Sequence, residues 1–419
     1  MVEEKKIIRD SIHGNIKIEK LFIELLQTPE LQRLYNIKQL GLAHLVFPGA
    51  HHSRLEHSLG TYHLSQRAAD SLNLEEKEKE IISCAALLHD IGHGPFSHTL
   101  ENLLRDSLNV DHVDLTEKLI FGEYEIFEDN EKDIINTPTV KDILKNYGIN
   151  KKRLADIIKG KTNVKPYLSQ LIDSTIDVDQ LDYLIRDAYY TGVSYGIIDI
   201  ERFLQTLIIS NNELKINRKG VSVVENILMA RTLMYSSIYF HKTVRIAELM
   251  LSKAIELIND VKPIDYYKKT DSELINFLKD KGEFQRKIST CLKYRKLFKQ
   301  AYSANHTDLN KEKIAIVKKM NDMHYKREKE IEIENNLKIK EGHVIIDVPY
   351  KELHLSEPRI NLADIKIIDN NKTEKKLDDY TPIPNAIISR PIPDWMIMII
   401  TDEKNRKTVA EKAEKIIFN

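Results

Sequence analysis

The sequence predicts a mainly α-helical protein with a small α+β lobe at its C-terminal end. Two observations carry that prediction. Before residue 341, most segments place apolar residues three and four apart, the spacing of a helix face. From Gly342 onward the pattern becomes strand-like, in Val344-Ile345-Ile346-Asp347-Val348-Pro349, in Ile365-Lys366-Ile367-Ile368 and from Met396 to Ile400. A third observation, a shift to Lys/Glu-rich sequence over residues 264–340, divides the rest. The chain therefore reads as a catalytic helical core over 1–260, a charged helical region over 261–340 and a small α+β lobe over 341–419.

Taken in order, residues 7–18 read as extended, with a turn at His13-Gly14-Asn15. Leu21 to Leu40 carries Leu21, Leu25, Leu26, Leu31, Leu34 and Ile37 at helical spacing. Helices are expected over residues 56–73, 76–91, 95–107, 111–121, 139–147, 151–159 and 165–174. Two more follow over 176–191, with its acids inward, and over 199–209. Leu214-Lys215-Ile216 and Val221-Ser222-Val223 flank Arg218-Lys219-Gly220 and predict a hairpin with a glycine turn. Val224 to Ile258 reads as one long helix, and Lys311 to Asn336 as a long exposed one whose charge run is a solvated face.

Composition narrows the function classes. The 419 residues include 63 basic and 64 acidic ones, a formal charge of −1 that argues against nucleic acid or an anionic membrane as partner. Cys84 and Cys291 sit in helical patterns and read as reduced thiols, not as a disulfide frame. The first residues lack an apolar signal core, and Trp395 to Ile400 is too short to span a bilayer. A cytoplasmic protein with no membrane association is expected.

The chemistry concentrates in Ala85-Ala86-Leu87-Leu88-His89-Asp90-Ile91-Gly92-His93-Gly94-Pro95-Phe96-Ser97-His98. An apolar helix ends there in a His-Asp pair, followed by two histidines in a Gly/Pro turn. Upstream stands Ser53-Arg54-Leu55-Glu56-His57, and downstream Ile176-Asp177-Val178-Asp179-Gln180-Leu181-Asp182-Tyr183. His57, His89, Asp90 and Asp179 form a set of two imidazoles and two carboxylates. Nitrogen and oxygen donors without thiolate fit one divalent ion: Mg, Mn, Fe, Ni or Zn. Buried ionisable groups are costly unless paired or metal-bound. An imidazole near neutral pKa, at His93 or His98, can protonate a leaving alkoxide. Glu101, three residues after His98, either orients that ring or is a surface carboxylate. Arg54 either faces a phosphate oxygen or makes a structural ion pair. His112 is a further candidate for the same pocket, or a surface histidine. Arg231, Tyr235, Tyr239 and Lys242 share a face of the expected long helix beside His241. They are either core or a grip on a base, sugar or polyphosphate.

These residues, together with Asp10-Ser11-Ile12-His13-Gly14, Thr28-Pro29-Glu30-Leu31-Gln32-Arg33-Leu34, Ile37-Lys38-Gln39-Leu40-Gly41, Val46-Phe47-Pro48-Gly49-Ala50 and Arg186-Asp187, resemble one family. The chain is similar to the HD-domain phosphohydrolases. More narrowly it resembles deoxynucleoside triphosphate triphosphohydrolases of the SAM-and-HD-domain type and their prokaryotic relatives. The match is dense over residues 7–250 and loose in the last third. It implies an HD-domain helical core, a metal held by His57, His89, Asp90 and Asp179, and an α-phosphate surrounded by Arg54, His93, His98 and His112. It further implies that His98 is the proton donor with Glu101 as its partner. Gln39, Tyr183 and Asp187 would meet the deoxyribose, and Leu40 and Tyr239 would crowd its 2′ position. Arg231 and His241 would line the triphosphate and nucleoside pocket, beside Tyr235. Homodimers or homotetramers are common in the family.

The chain departs from that family at several positions. Gln180 stands where a lysine is common, Tyr235 where the animal enzyme has His, and Val113 where Glu follows His112. Gln27, Tyr35 and Arg9 replace the acid, Arg and Asn of the guanine-reading activator pocket, which argues against activation by GTP. The reading is a metal-dependent hydrolase releasing nucleoside and triphosphate from a (deoxy)nucleoside triphosphate, probed by product analysis. The alternatives are a nucleoside monophosphate or cyclic phosphodiester hydrolase on the same metal site, and a nucleic-acid-binding protein with a remnant site.

Overall fold

A computed structural model describes residues 5–97, 100, 110–128, 130–161, 164–258, 262–349, 365–369, 371–388, 393 and 395–418. Within them the chain is mostly helical, with three small sheets. It forms two compact units, each discontinuous in sequence. The first takes Met1–Met234, Lys262–Leu274 and Arg359–Ser389, the second Tyr235–Val261, Ile275–Pro358 and Arg390–Asn419.

The first unit opens with a hairpin, β1 (Lys5–Asp10) and β2 (Gly14–Glu19), paired antiparallel with Asp10 opposite Gly14. Gly14 has φ +72, a turn conformation that costs glycine nothing. Ile16 and Ile18 point inward while Lys17 and Glu19 are exposed, the two-residue alternation of a half-buried strand. The helix expected from Leu21 to Leu40 is instead α1 (Lys20–Leu26), α2 (Pro29–Arg33) and a 3₁₀ turn over Leu34–Asn36. Proline disfavours a helical residue before it, and Thr28 is extended at ψ 147, so the chain restarts with Pro29 in the first turn of α2.

Two helices then carry the site. Helix α3 (Arg54–Ser71) starts at a capping box, in which Ser53 Oγ accepts from Glu56 N and Glu56 Oε2 accepts from Ser53 N at 2.6 Å. Helix α4 (Glu76–Leu88) buries Ile81, Ile82 and Cys84 to Leu88, as its apolar run predicts. Helix α5 (His112–Phe121) is capped by Asp111 and stops at left-handed Gly122. Helix α6 (Val178–Thr191) is capped by Asp177, whose Oδ1 accepts from Gln180 N at 2.8 Å, and stops at Gly192. Most of the helix expected over 95–107 lies outside the described residues.

Two expectations are corrected further along. The helix expected over 199–209 ends early, as α7 (Ile200–Thr206), and the chain continues into β3 (Leu207–Ser210) paired with β4 (Glu213–Asn217). The hairpin turn is Asn211-Asn212, not Arg218-Lys219-Gly220. Both asparagines have positive φ, 54 and 63, the geometry of a two-residue turn that matches strand twist. Val221 therefore begins α8 (Val221–Met234), and Lys366–Ile368 pairs parallel with β4, extended by Glu374–Lys376.

In the second unit, the long helix expected from Val224 to Ile258 is broken. A π-helical turn over Tyr235–Tyr239 widens the backbone after α8, and α9 (Lys242–Glu256) restarts with His241 as its cap. The stretch Lys311 to Asn336 is likewise two helices, α10 (Lys311–Lys319) and α11 (Met323–Leu337), the second capped by Asp322. The strands expected at 344–349 and 396–400 are present as Val344–Asp347 and Ile397–Thr401, with Lys299–Ala304 on the far side of the latter. Val344, Ile346, Ile397 and Ile399 pack on Ile333, Val409 and Ala413. Residues 261–340 and 341–419 each contribute to both units.

Glu30, on α2, supplies a test of the first unit's electrostatics. Its Oε1 accepts from Val140 N at 3.2 Å, and its Oε2 is buried without a hydrogen-bond partner among the described residues. Burial pushes its carboxyl up to about 7, against the backbone bonds that favour the charge. A raised carboxyl binds its proton more tightly in the folded chain. Its contribution is therefore full below the unfolded value of 4.5 and lost as pH rises through about 7. Glu30→Gln keeps the acceptor for Val140 and removes the charge. It should match the parent in stability at pH 4 and exceed it by about 3 kcal/mol at pH 8. Urea unfolding at both pH values checks this, and a constant difference would refute it.

Candidate metal centre

The end of α4 is held from three sides. Thr116 Oγ1 on α5 donates to the His89 carbonyl at 3.0 Å and accepts from Gly92 N at 3.0 Å. A Cβ on Gly92 would lie 2.2 Å from the His112 carbonyl, so α5 can approach only a glycine there. Buried Arg33 donates to the carbonyls of Ile91 (3.1 Å), His93 (2.7 Å) and Tyr267 (3.0 Å). Asp271 accepts from Lys38 N and Phe96 N at 3.0 and 3.2 Å. The turn that carries His89, Asp90 and His93 is thus fixed by groups far away in sequence.

His57, His89 and Asp90 are buried, and each offers one donor atom within 4.8 Å of the others. Asp179 joins them: its Oδ1 lies 2.9 Å from His57 Nε2 and 3.6 Å from His89 Nε2. Asp90 Oδ1 lies 3.2 Å from His89 Nε2. The four residues expected from the sequence to hold a metal therefore converge. Both imidazoles present the same nitrogen. His89 Nδ1 lies 2.8 Å from the Ala86 carbonyl, which can only accept, so Nδ1 carries the proton and Nε2 the lone pair. His89 Nε2 is buried and makes no hydrogen bond among the described residues. His57 Nδ1 lies 2.8 Å from Asp182 Oδ2. His57 Nε2, His89 Nε2 and an Asp90 oxygen, with Asp179 Oδ1 beside both imidazoles, form a site that can hold a divalent ion.

Electrostatics agree with that assignment. Burial alone would lower His57, but Asp179 and Asp182 hold its imidazole up to about 10 when no cation is present. Metal uptake must displace that proton. Burial also opposes the charge of Asp90, yet His89, His93 and Arg54 hold its carboxyl well below the usual range. His93 is pushed the other way, by burial and by the positive Arg54 beside it, and stays well below the ordinary imidazole value.

The remaining expected residues divide by place. Arg54 donates to Asp90 Oδ2 at 2.7 Å, so it is an ion-pair partner of the cluster. His93 Nε2 lies 3.3 Å from Asp90 Oδ1, and its Nδ1 is 2.5 Å from Ser97 Oγ. The His112 ring stacks on His93 at 3.9 Å and 14°. His98 and Glu101 lie outside the described residues. The Tyr183 ring is 6.4 Å from that of His57. Gln39 and Leu40 are buried, with Gln39 Oε1 lacking a hydrogen bond among the described residues. Asp187 Oδ1 is 2.8 Å from His52 Nε2. Arg231 donates to Gln180 Oε1 at 3.3 Å. Tyr235, Tyr239, His241 and Lys242 belong to the second unit, and the π turn ends the single helix on which Arg231, Tyr235, Tyr239 and Lys242 were expected to share a face. The tyrosines meet edge-on at 5.0 Å, and His241 Nδ1 accepts from Thr243 N.

Sequence reasoning assigned no role to Asp10, His13, Arg33, Asp182 or Arg186. Gly60 was the available signal: a glycine inside α3 costs about 1 kcal/mol against alanine and so has a packing reason.

Comparison with known proteins agrees with this geometry. Residues 54–187 match the HD domain, and residues 198–418 match the HD associated region. An uncharacterised protein of Methanocaldococcus jannaschii is 31% identical over 424 residues, covering 99% of this chain and 83% of that one. The deoxynucleoside triphosphate triphosphohydrolase SAMHD1 of Homo sapiens is 29% identical over 356 residues, covering 71% of this chain but 55% of the human one. A phosphohydrolase structure from Bacteroides thetaiotaomicron superposes with TM-score 0.69 at 26% identity, covering 96% of this chain and 100% of that one. Among the described residues, no helix is long and apolar enough to cross a membrane.

Proposed function

The chain belongs to the HD-domain phosphohydrolases, metal-dependent hydrolases, and from that premise we propose that it cleaves (deoxy)nucleoside triphosphates at the α-phosphate. Water replaces the 5′ oxygen on phosphorus, and the products are the nucleoside and inorganic triphosphate. The observation that carries this reading is the convergence of Arg54 and His93 on Asp90, beside two Nε2 donors. A metal site flanked by a guanidinium and a neutral imidazole suits an anionic phosphoryl group. The human relative's activity supports the substrate class.

His57, His89, Asp90 and Asp179 would hold the ion, which when bound polarises a phosphoryl oxygen and acidifies water. Arg54 offers charge to the phosphoryl oxygens that become more negative as the reaction proceeds. His93, kept neutral by burial and Arg54, can donate a hydrogen bond without carrying charge of its own. His98, with Glu101 as its partner, would protonate the 5′ oxygen, and His112 supports His93 by stacking. Gln39, Tyr183 and Asp187 would meet the sugar, with Leu40 at its 2′ side, and Arg231 would receive the rest of the nucleotide. The enzyme would act as a homodimer or homotetramer in the cytoplasm.

A panel of dNTPs and NTPs with Mg, Mn and Co, its products resolved by chromatography, tests the reading. Intact triphosphate and nucleoside are expected. A sugar wall discriminates by shape alone, so kcat/KM for dGTP should exceed that for GTP by roughly 10²-fold. Release of pyrophosphate, or turnover of monophosphates or cyclic phosphodiesters only, would overturn the substrate assignment.

A further inference from the structure

We propose that Asp182 is the positioning residue of the metal centre: it accepts the Nδ1 proton of His57 and holds that ring with Nε2 directed at the ion. Asp179 and Asp182 are three residues apart on α6 and share one face. His57 lies between them, Nε2 2.9 Å from Asp179 Oδ1 and Nδ1 2.8 Å from Asp182 Oδ2. A carboxylate can only accept, so Nδ1 keeps the proton it donates to Asp182, and the proton that Nε2 shares with Asp179 is the one metal uptake displaces, leaving the lone pair on Nε2. His89 obtains the same tautomer from a backbone carbonyl, which the helix supplies whatever the side chains. Among the described residues His57 Nδ1 meets no carbonyl, only Asp182 Oδ2 at 2.8 Å and Thr61 Oγ1 at 3.5 Å, so Asp182 is its close partner.

Asp182 is itself fully buried and held on both oxygens. His13 Nε2 lies 2.6 Å from Oδ1, and Arg186 donates from Nη2 to Oδ1 at 3.0 Å and from Nε to Oδ2 at 2.8 Å. Arg186 in turn reaches Asp10 from Nη1 at 2.8 Å, and Asp10 Oδ1 accepts from the backbone of Ile12 and His13. Every lone pair of the carboxylate that faces away from His57 is thus engaged, and the β1–β2 turn is built into the support. The space exists because α3 has a glycine one turn after His57. A Cβ on Gly60 would lie 1.8 Å from Asp182 Oδ1 and 2.4 Å from Arg186 Nη2. Outer partners of metal-ligating histidines orient the ring and raise its donor strength, and their loss costs about 10–100-fold in metal affinity.

The proposal rests on the metal-centre reading, and the test separates the two. The chelator-stripped full chain is titrated with Mn²⁺, and free Mn²⁺ is read by electron paramagnetic resonance. Asp182→Asn should bind about 10–100-fold more weakly than the parent, with an unchanged circular dichroism spectrum. A folded Asp182→Asn that binds as tightly as the parent overturns the role of Asp182. A parent that takes up no Mn²⁺ overturns the metal centre itself. Because the variant can fail to fold, the parent provides a second readout. In ¹⁵N-histidine spectra of the Zn²⁺-loaded chain, His57 should show a protonated, hydrogen-bonded Nδ1 and a metal-bound Nε2. Metal bound through Nδ1 would overturn the proposal without any substitution.

Discussion

Asp90→Asn is expected to abolish metal uptake and hydrolysis together. The substitution is nearly isosteric, so its effect is one of charge and donor chemistry. Asp90 Oδ1 faces His89 and His93 at 3.2 and 3.3 Å, while Oδ2 takes Arg54 at 2.7 Å. An amide supplies a weaker donor to a cation, and it leaves the Arg54 charge, only 2% exposed, without its Asp90 counter-charge. Metal affinity should fall by more than about 100-fold, the upper end of what an outer partner of a ligand contributes. His57→Ala deletes an imidazole donor and should act in the same direction. Elemental analysis of the purified variants, beside release of product from a dNTP, decides the matter. Full occupancy with full activity in both would mean that the ion and the chemistry lie elsewhere. The metal-free melting of Asp90→Asn should also drop, because removing one partner of a buried pair costs about 3–5 kcal/mol. His57→Ala leaves the Arg54–Asp90 pair intact but takes the imidazole from between Asp179 and Asp182, so its metal-free melting is measured beside its metal content.

How much of this was legible in the sequence depends on how local each signal is. Helices α3, α4 and α6 were read nearly to their ends, because apolar spacing is contained in a few residues, although the caps Ser53 and Asp177 were not used to place their starts. The cluster of His57, His89 and Asp90 was legible because each stands in a dense motif. Asp182 was not, although it also stands in such a motif. His13 stands 169 residues from Asp182 and Asp10 stands 176 residues from Arg186, and only the folded chain brings them together. Arg33 is similar, since its targets are backbone carbonyls, which carry no sequence signature. Other misses had a signal. Thr28-Pro29 marks a helix restart, and Asn211-Asn212 marks a turn with two positive φ values. The π turn at Tyr235–Tyr239 had none, because its residues continue the apolar pattern of α8 into α9.

Gly60→Ala is expected to destabilise the protein, against the sign that helix propensity alone would give. In an open helix the change adds about 1 kcal/mol, because alanine loses less backbone freedom on folding. Residue 60 lies inside α3, so propensity alone predicts a gain. The new methyl would however overlap Asp182 Oδ1 at 1.8 Å and Arg186 Nη2 at 2.4 Å. Neither group can step aside cheaply. Arg186 is fully buried and bonded to both Asp10 and Asp182, and Asp182 is bonded to His13 and His57 as well. Two responses remain. The helices α3 and α6 separate, with an overpacking cost of about 1–3 kcal/mol. Otherwise Asp182 withdraws from His57, and the loss appears as weaker metal binding instead of lower stability. Thermal unfolding of the metal-free chain and a Mn²⁺ titration therefore belong to one experiment. At least one of the two should fall. A variant that melts at or above the parent and binds Mn²⁺ equally well would show that the spacing between α3 and the Asp182–Arg186 pair is wider than described, and that the glycine is not what admits them.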